Sequence, residues 1–411
     1  MAISLELPKK LQLLEQQAQQ VANEVLRPIS RKYDLAEHAY PKELDMLAAL
    51  IDGINDSGSG SGAGASGASK DKDAEKRSAP AEGDGNRNGA NLASVLGVTG
   101  MCWGDVGLLL SMPRQGLGNS AISAVATDEQ KERFAGKWAA MAITEPEAGS
   151  DSAAIRTTAT LEGDEYAING EKIYVTAGDR ADLIVVWATL DPKLGRAAIK
   201  SFVVARDHPG LKLDRLEHKL GIKASDTANF ILIDCRVPKE DLLGNPEIDT
   251  KKSFGGVMET FDNTRPLVAG MAVGLAQACL EETKRILAEA GVEIDYDRPI
   301  NTQAAAAAEF IELEADYEAA RLLMLEAAWM ADNRKPNSLQ ASYSKAKAGR
   351  TATDVALRCV ALCGSIGYSE TSLLEKWARD AKILDIFEGT QQIQLLIIAR
   401  QLLKKTSAEL L

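Results

Sequence analysis

Histidine is scarce in this chain, and no cysteine arrangement of the kind that holds a metal is present. The 411 residues include three histidines, His38, His208 and His218, scattered along the sequence. That scatter argues against a His-based nucleophile triad and against a zinc site, so no metal is expected. Cys102, Cys235, Cys279, Cys359 and Cys363 are odd in number and none stands in a CxxC pair, so they read as buried reduced thiols. A basic excess is missing too: Lys+Arg number 47 against Asp+Glu 59, for a net charge of -12. Such a balance argues against a nucleic-acid partner, which calls for a basic face. No apolar run is long enough to span a bilayer. The opening MAISLELPKKLQLLEQQ is amphipathic from the start and shows no apolar stretch followed by a small-residue cleavage site. The expectation is a cytoplasmic, soluble protein without metal or membrane partner.

What is present falls into three stretches, helical, then extended, then helical again, in a chain long enough for two or three domains. Residues 7–51 carry apolar positions at helical spacing, among them Leu11, Leu14, Val21 and Leu26, with a break or kink expected at Pro28. Residues 56–92 form a low-complexity run of Gly, Ser, Ala and charge. A segment of that composition cannot bury enough apolar surface to offset its ordering entropy, and it reads as a surface insertion. Helical pattern resumes around Ala93–Leu117 and ends near Lys137. Then the period changes. Glu165–Ile168 and Lys172–Val175 flank Asn169-Gly170, which predicts a two-residue hairpin turn. Further strands are expected at Leu183–Ala188, Ser201–Ala205, Leu211–Leu216 and Asn229–Asp234, and their even spacing suggests a barrel or sandwich rather than βαβ units. From Ser253 onward helical segments run at roughly 253–289, 301–333, 337–363 and 370–385, with a last helix after Gly389, as in a four-helix bundle. The fold class is α+β. The expected domains are an N-terminal helical one at 1–137, a middle β-barrel at 138–247 and a C-terminal bundle at 248–411.

Three motifs sit on this frame. Met141–Asp151 reads MAITEPEAGSD, where Thr144 and Ser150 supply hydroxyls, Pro146 stiffens the turn, and Gly149 lets backbone N–H groups approach a flat ligand. Alone, this is also how a turn with capping residues reads. Tyr174-Val175-Thr176 puts an aromatic before a hydroxyl at a strand end, equally the mark of an ordinary strand. In Ile386–Gln394, IFEGTQQIQ, a carboxylate occupies a short break between two apolar helices beside Gly389. A Glu in an apolar setting loses solvation when ionised, so its pKa rises, which suits a general base. A helix cap or a solvated Glu would look the same.

The order of these pieces is more specific than any one. Adding Lys219–Thr227 (KLGIKASDT) and Phe261–Pro266 (FDNTRP), the chain resembles the acyl-CoA dehydrogenase family, continuously from about Asp128 to Leu403 and more weakly in the N-terminal helices. The resemblance implies that family's fold and an FAD-dependent α,β-dehydrogenation of an acyl-CoA to a trans-2-enoyl-CoA. It implies Glu388 as catalytic base, taking the α proton while the flavin accepts the β hydride. It places Met141, Ile143, Thr144, Gly149, Ser150, Tyr174, Val175, Thr176, Thr390 and Gln392 against FAD, with Tyr174 where the family usually has Trp. Ser150, Asp262, Arg265 and Gly389 fall near the acyl-CoA. Some members carry the base where Thr264 stands, and a Thr cannot abstract a carbon-bound proton. Electrons would pass to an electron-transferring flavoprotein.

The chain also departs from the pattern. Family homotetramers lend each FAD an Arg-x-x-Phe-Gly segment and a Gln-x-x-Gly-Gly-x-Gly loop from a neighbour. Here the first region reads Val292–Gln303 (VEIDYDRPINTQ), acidic and with Arg298 out of register; the second reads Ala361–Tyr368 (ALCGSIGY), with Ala361 in place of Gln and Ser365 in place of Gly. Acidic side chains facing a pyrophosphate are repulsive. The expectation is therefore a second homologous dehydrogenase subunit in an α2β2 heterotetramer, of the bacterial kind whose members often act on steroid side-chain CoA esters, with a homotetramer as the alternative. An acyl-CoA oxidase using O2 and a non-catalytic partner subunit remain the alternative functions.

Overall fold

The computed structural model describes residues 7–49, 89–113, 117–248, 255–406 and 409, with the side chains of 255–263 left aside. Helix α1 (Lys9–Val21) runs through a π-turn at Ala22–Leu26 into α2 (Arg27–Leu35). Pro28 closely follows this π-turn, so where a break or kink was expected the helical path carries a local irregularity and continues without a break. The low-complexity run lies outside the described residues up to position 88. Its expected end at 92 is too late, because α3 (Ala90–Gly104) already begins at Ala90. The reason is long-range. The Asp332 carboxylate accepts the backbone N–H groups of Gly89 (2.8 Å), Asn91 (2.9 Å) and Leu92 (3.1 Å), supplying the N-terminal cap that the local sequence lacks. Short helices α4 (Val106–Leu110), α5 (Leu117–Val125) and α6 (Asp128–Arg133) follow.

The strands β1 (Ala139–Ala142), β2 (Thr158–Glu162), β3 (Glu165–Thr176), β4 (Leu183–Thr189), β5 (Ile199–Ala205), β6 (Leu211–Leu216) and β7 (Thr227–Pro238) make a seven-stranded sheet in the order β1-β4-β2-β3-β7-β6, with β5 paired to β4. The sheet curls around one core that takes Ile168 from β3, Val186 from β4, Phe202 from β5 and Phe230 from β7. The hairpin falls elsewhere than Asn169-Gly170 suggested. The chain turns at Gly163-Asp164, between Glu162 and its partner Glu165, with Gly163 at φ 68°. Asn169-Gly170 lies within continuous β3 opposite a bulge in β7, where Ile233 and Asp234 stand against the single Asn169. There the Asn169 side chain accepts the Asp234 N–H at 2.8 Å, and a Cβ on Gly170 would stand 2.3 Å from Thr157 Oγ1.

Beyond the sheet, α7 (Gly255–Glu289), α8 (Ala305–Asp332), α9 (Ser338–Leu362), α10 (Gly364–Tyr368), α11 (Leu374–Ala381) and α12 (Gln391–Leu403) complete the chain, with a 3-10 turn at Lys382–Asp385. Leu96 and Met101 of α3 share one core with Ala272 of α7, Phe310 of α8 and Ala352 of α9, so the two helical ends of the sequence fold together. No described helix is long and apolar enough to cross a membrane. All five cysteines are free and buried.

Candidate functional site

Glu388 occupies the turn between the Lys382–Asp385 segment and α12. Its backbone is left-handed, φ 55°, and Gly389 follows at φ 90°. For a non-glycine residue this conformation costs about 1–2 kcal/mol and persists only where surroundings fix it. They do. Gln394, fully buried on α12, donates from Nε2 to the Glu388 carbonyl (3.3 Å) and the Gly389 carbonyl (3.2 Å). Lys345, fully buried on α9, donates to the same Gly389 carbonyl at 2.6 Å. The carboxyl group is itself held: the Thr264 hydroxyl of α7 donates to Glu388 Oε2 at 3.1 Å. Burial pushes this carboxyl above the usual carboxylate range, against the opposing influence of Thr264, Lys345 and Arg265. A carboxylate so raised accepts a proton more readily than a solvated one.

The second set of residues lies on the sheet. Met141 and Ile143 pack against the small apolar cluster of Ala148, Ile155, Trp187 and Ile199. The turn they lead into is organised by a buried ion pair. Glu145 accepts the N–H of Arg156 (2.6 Å), the N–H of Thr157 (3.0 Å) and the ammonium of Lys172 (2.7 Å), while Lys172 also donates to the Ile143 carbonyl at 2.9 Å. Burial opposes the charge on Glu145, but Lys172 and the two amides outweigh it and hold the carboxyl below its ordinary range. One residue on, the Thr144 carbonyl accepts the Ile173 N–H at 2.9 Å and fixes this segment beside Tyr174. Tyr174 has φ 58°, its N–H bonded to Asn229 Oδ1 at 3.1 Å, and 60% of its surface is exposed. Val175 beside it is buried in the sheet core.

This side fits a flat aromatic cofactor. Tyr174 presents an uncovered ring, and the hydroxyls of Thr144, Ser150 and Thr176 have no hydrogen-bond partner among the described residues, leaving donors for a ligand. Gly149 is exposed, and a Cβ there would meet nothing within 4 Å, so its backbone is open to approach but imposes no conformational demand of its own. At the other set, the Thr390 hydroxyl caps α12 through the Ile393 N–H (3.3 Å), and Gln392, the second residue of that helix, is exposed. Arg265 is buried, its charge acting on Glu388 and Lys345. Asp262 lies in α7, its side chain outside the described residues. The sheet set and the 388–392 turn share no hydrogen bond or ion pair among the described residues.

Three features escaped the sequence. Glu145 and Lys172 are 27 positions apart, and Lys345 and Gly389 are 44 apart, so only the fold pairs them. An ammonium expected on an exposed helix face gives no local signal of burial. The third concerns histidine. His38 and His218, far apart in sequence, come within 5.0 Å ring to ring, and His218 Nδ1 lies 2.8 Å from Glu37 Oε2. This Glu-His-His cluster has the residue types of a metal site. However, Glu37 Oε1 accepts the Lys219 N–H at 3.0 Å, and the charges of Lys219 and Lys223 act on the cluster and oppose a dication. It joins the end of α2 to the segment between β6 and β7.

Comparison with known proteins gives the same frame. Residues 254–403 match the family model of the acyl-CoA dehydrogenase C-terminal domain, and residues 140–235 that of the middle domain. The mitochondrial short-chain specific acyl-CoA dehydrogenase of Bos taurus is 31% identical over 407 residues, which cover 98% of this chain and 92% of that protein. A probable acyl-CoA dehydrogenase of Bacillus subtilis is 37% identical over 295 residues, 70% of this chain and 76% of that one. Among solved structures, a chain from the work on an electron transferring flavoprotein of Acidaminococcus fermentans and flavin-based electron bifurcation superimposes with a TM-score of 0.81 at 30% identity, covering 98% of this chain and 100% of that one. The chain belongs to the acyl-CoA dehydrogenase family: it is an oxidoreductase acting on acyl-CoA, with FAD as its cofactor.

Proposed function

We propose that Glu388 removes the α proton of an acyl-CoA thioester in an α,β-dehydrogenation that yields a trans-2-enoyl-CoA. The observation that carries this reading is the Glu388 turn: a carboxyl raised by burial, oriented by Thr264, on a backbone held left-handed by Lys345 and Gln394. Met141, Ile143, Thr144, Gly149, Ser150, Tyr174, Val175 and Thr176 would hold the flavin ring region, with Thr390 and Gln392 as a further contact. When bound, FAD supplies the two-electron acceptor for the β hydrogen. The protein's own part is geometry and field. Glu388 accepts the α proton at its carboxylate, and its N–H, which has no acceptor among the described residues, is free to donate to the thioester carbonyl as negative charge builds there. Ser150, Asp262, Arg265 and Gly389 are assigned to the acyl-CoA side.

The test is anaerobic mixing of the flavin-loaded protein with a short-chain acyl-CoA, following loss of the yellow flavin absorbance. Glu388→Gln should slow that bleaching by about 10²–10⁴-fold while leaving flavin content unchanged. Unchanged bleaching in the variant removes Glu388 as base.

Electrons are assigned to an electron-transferring flavoprotein, a partner made plausible by the Acidaminococcus match. Oxidase activity would instead release hydrogen peroxide during turnover. A heteromeric α2β2 assembly is supported by the first of two features, and association with another chain of either kind by the second. Arg298 is turned onto its own loop, donating to Thr302 Oγ1 at 3.2 Å, and Gln303 is engaged with the Asp295 and Arg298 carbonyls. On α12, Leu395, Leu396, Leu402 and Leu403 stay more than half exposed, seven residues apart in two pairs and thus on one side of the helix. Full FAD occupancy in a homo-oligomer of this chain alone refutes the heteromeric assembly. The three units 1–137, 138–247 and 248–411 and a cytoplasmic location complete the reading.

A further inference from the structure

Lys345 makes no contact that its own helix requires. It lies on α9 with no exposed surface, and its one hydrogen bond among the described residues is the 2.6 Å donation to the Gly389 carbonyl. Taking an ammonium out of water costs several kcal/mol unless partners offset it, and a methionine would fill the same volume without that cost. Its backbone is brought to the turn by Gly349, one helical turn further on, where a Cβ would stand 2.6 Å from the Leu384 carbonyl. Two further constraints converge on the same two peptide units. Gln394 Nε2 reaches both the Glu388 and Gly389 carbonyls, and Gly389 holds φ 90°, which favours glycine, while a Cβ there would stand 2.5 Å from that nitrogen and displace it.

In a trans peptide unit the C=O and the following N–H point opposite ways. With the carbonyls of Glu388 and Gly389 bound by Gln394 and Lys345, the N–H groups of Gly389 and Thr390 are directed away from those two side chains. Neither has an acceptor among the described residues.

We infer that Lys345 is a positioning residue for the proton-abstracting turn: with Gln394 it locks the Glu388–Gly389 carbonyls inward, fixing the base, and its cation favours the ionised form of that base. The inference rests on Glu388 being the base. The charged groups around the pair are Arg265 on α7 and Asp385 in the preceding turn, the latter also engaged by Lys382 (3.1 Å) and Arg350 (3.5 Å), and the Thr264 hydroxyl of α7 is a neutral donor. Burial pushes Lys345 down to about 8, against the influence of Asp385 and Glu388, so at neutral pH the cation is retained.

The experiment compares Lys345→Met, Lys345→Gln and Glu388→Gln in the flavin-loaded assembly, reading the rate of anaerobic flavin bleaching by butyryl-CoA across pH, with flavin stoichiometry and thermal unfolding alongside. Lys345→Met should bleach about tenfold or more slowly at saturating substrate, with its acid limb moved to higher pH because the base has lost a nearby cation. Lys345→Gln restores a neutral donor without the charge, so its rate should recover towards wild type while the limb stays displaced. If Lys345→Met fails to fold, the displaced limb in Lys345→Gln alone decides. A limb at the wild-type position in the variants that fold, with Glu388→Gln inactive, overturns the role of Lys345 and leaves the base standing. Bleaching by Glu388→Gln at the wild-type rate overturns the base assignment instead.

Discussion

Lys172→Met tests whether the turn beside the proposed flavin platform depends on its buried ion pair. Lys172 is fully buried and Glu145 nearly so. Removing the ammonium leaves Glu145 with the amides of Arg156 and Thr157 but without its cation. The variant can keep the carboxylate charged and unpaired, at about 3–5 kcal/mol, or protonate it. Protonating a carboxyl of ordinary pKa 4.5 at pH 7 costs about 3.4 kcal/mol, at roughly 1.36 kcal/mol per unit. The loss at pH 7 is therefore about 3 kcal/mol, a large share of a total of about 5–15 kcal/mol. The pH dependence carries a signature. In wild type the Glu145 carboxyl is held low, so its contribution is present above the unfolded pKa and lost as pH falls. In the variant the folded carboxyl is raised, so folding takes up a proton and stability is gained as pH falls. At pH 5.5 protonation costs only about 1.4 kcal/mol by the same conversion, and the gap between the two proteins should narrow by about 2 kcal/mol. Denaturant unfolding at pH 7 and pH 5.5, followed by flavin release and circular dichroism, measures both. A deficit under about 1 kcal/mol at pH 7, or one that does not change with pH, refutes the argument.

Other outcomes follow from the same geometry. Asp332→Ala removes the acceptor of three N–H groups at the start of α3 and should cost about 1–2 kcal/mol by thermal unfolding; an unchanged midpoint would show that water replaces it. Tyr174→Ala should raise the flavin dissociation constant about tenfold or more, measured by fluorescence titration, if the exposed ring is the shelf it resembles. In wild type, the rate of flavin bleaching should rise with pH along a limb centred above 4.5, because the base must be ionised and burial raises its carboxyl; a limb at or below that value contradicts a buried base.

Local pattern was enough for much of this protein. Apolar spacing located the long helices α7, α8, α9 and α12 to within a few residues, because apolar residues recur there at helical spacing, although α12 buries only Gln394 of its own length. The motif around Glu388 stood out through the order of the motifs along the chain, because alone a helix cap or a solvated Glu would read the same. Where a local signal competed with distant structure it misled. Asn169-Gly170 reads as a hairpin turn, yet β7 pairs along both sides of it and a bulge results, the turn moving to Gly163-Asp164. The start of α3 has no local cap because its cap is Asp332, 243 positions from Gly89.

Sequence by itself determined which segments are amphipathic, which side chains can take or give a proton, and, through the order of its motifs, the family. Only tertiary structure decided which charges lose their water. Lys172 and Lys345 look like any other charged residues in one dimension, since desolvation is a property of everything packed around a group rather than of its neighbours in the chain. The ionisation of Glu388, and with it the chemistry proposed here, is set by α7, α9 and α12 meeting at one turn.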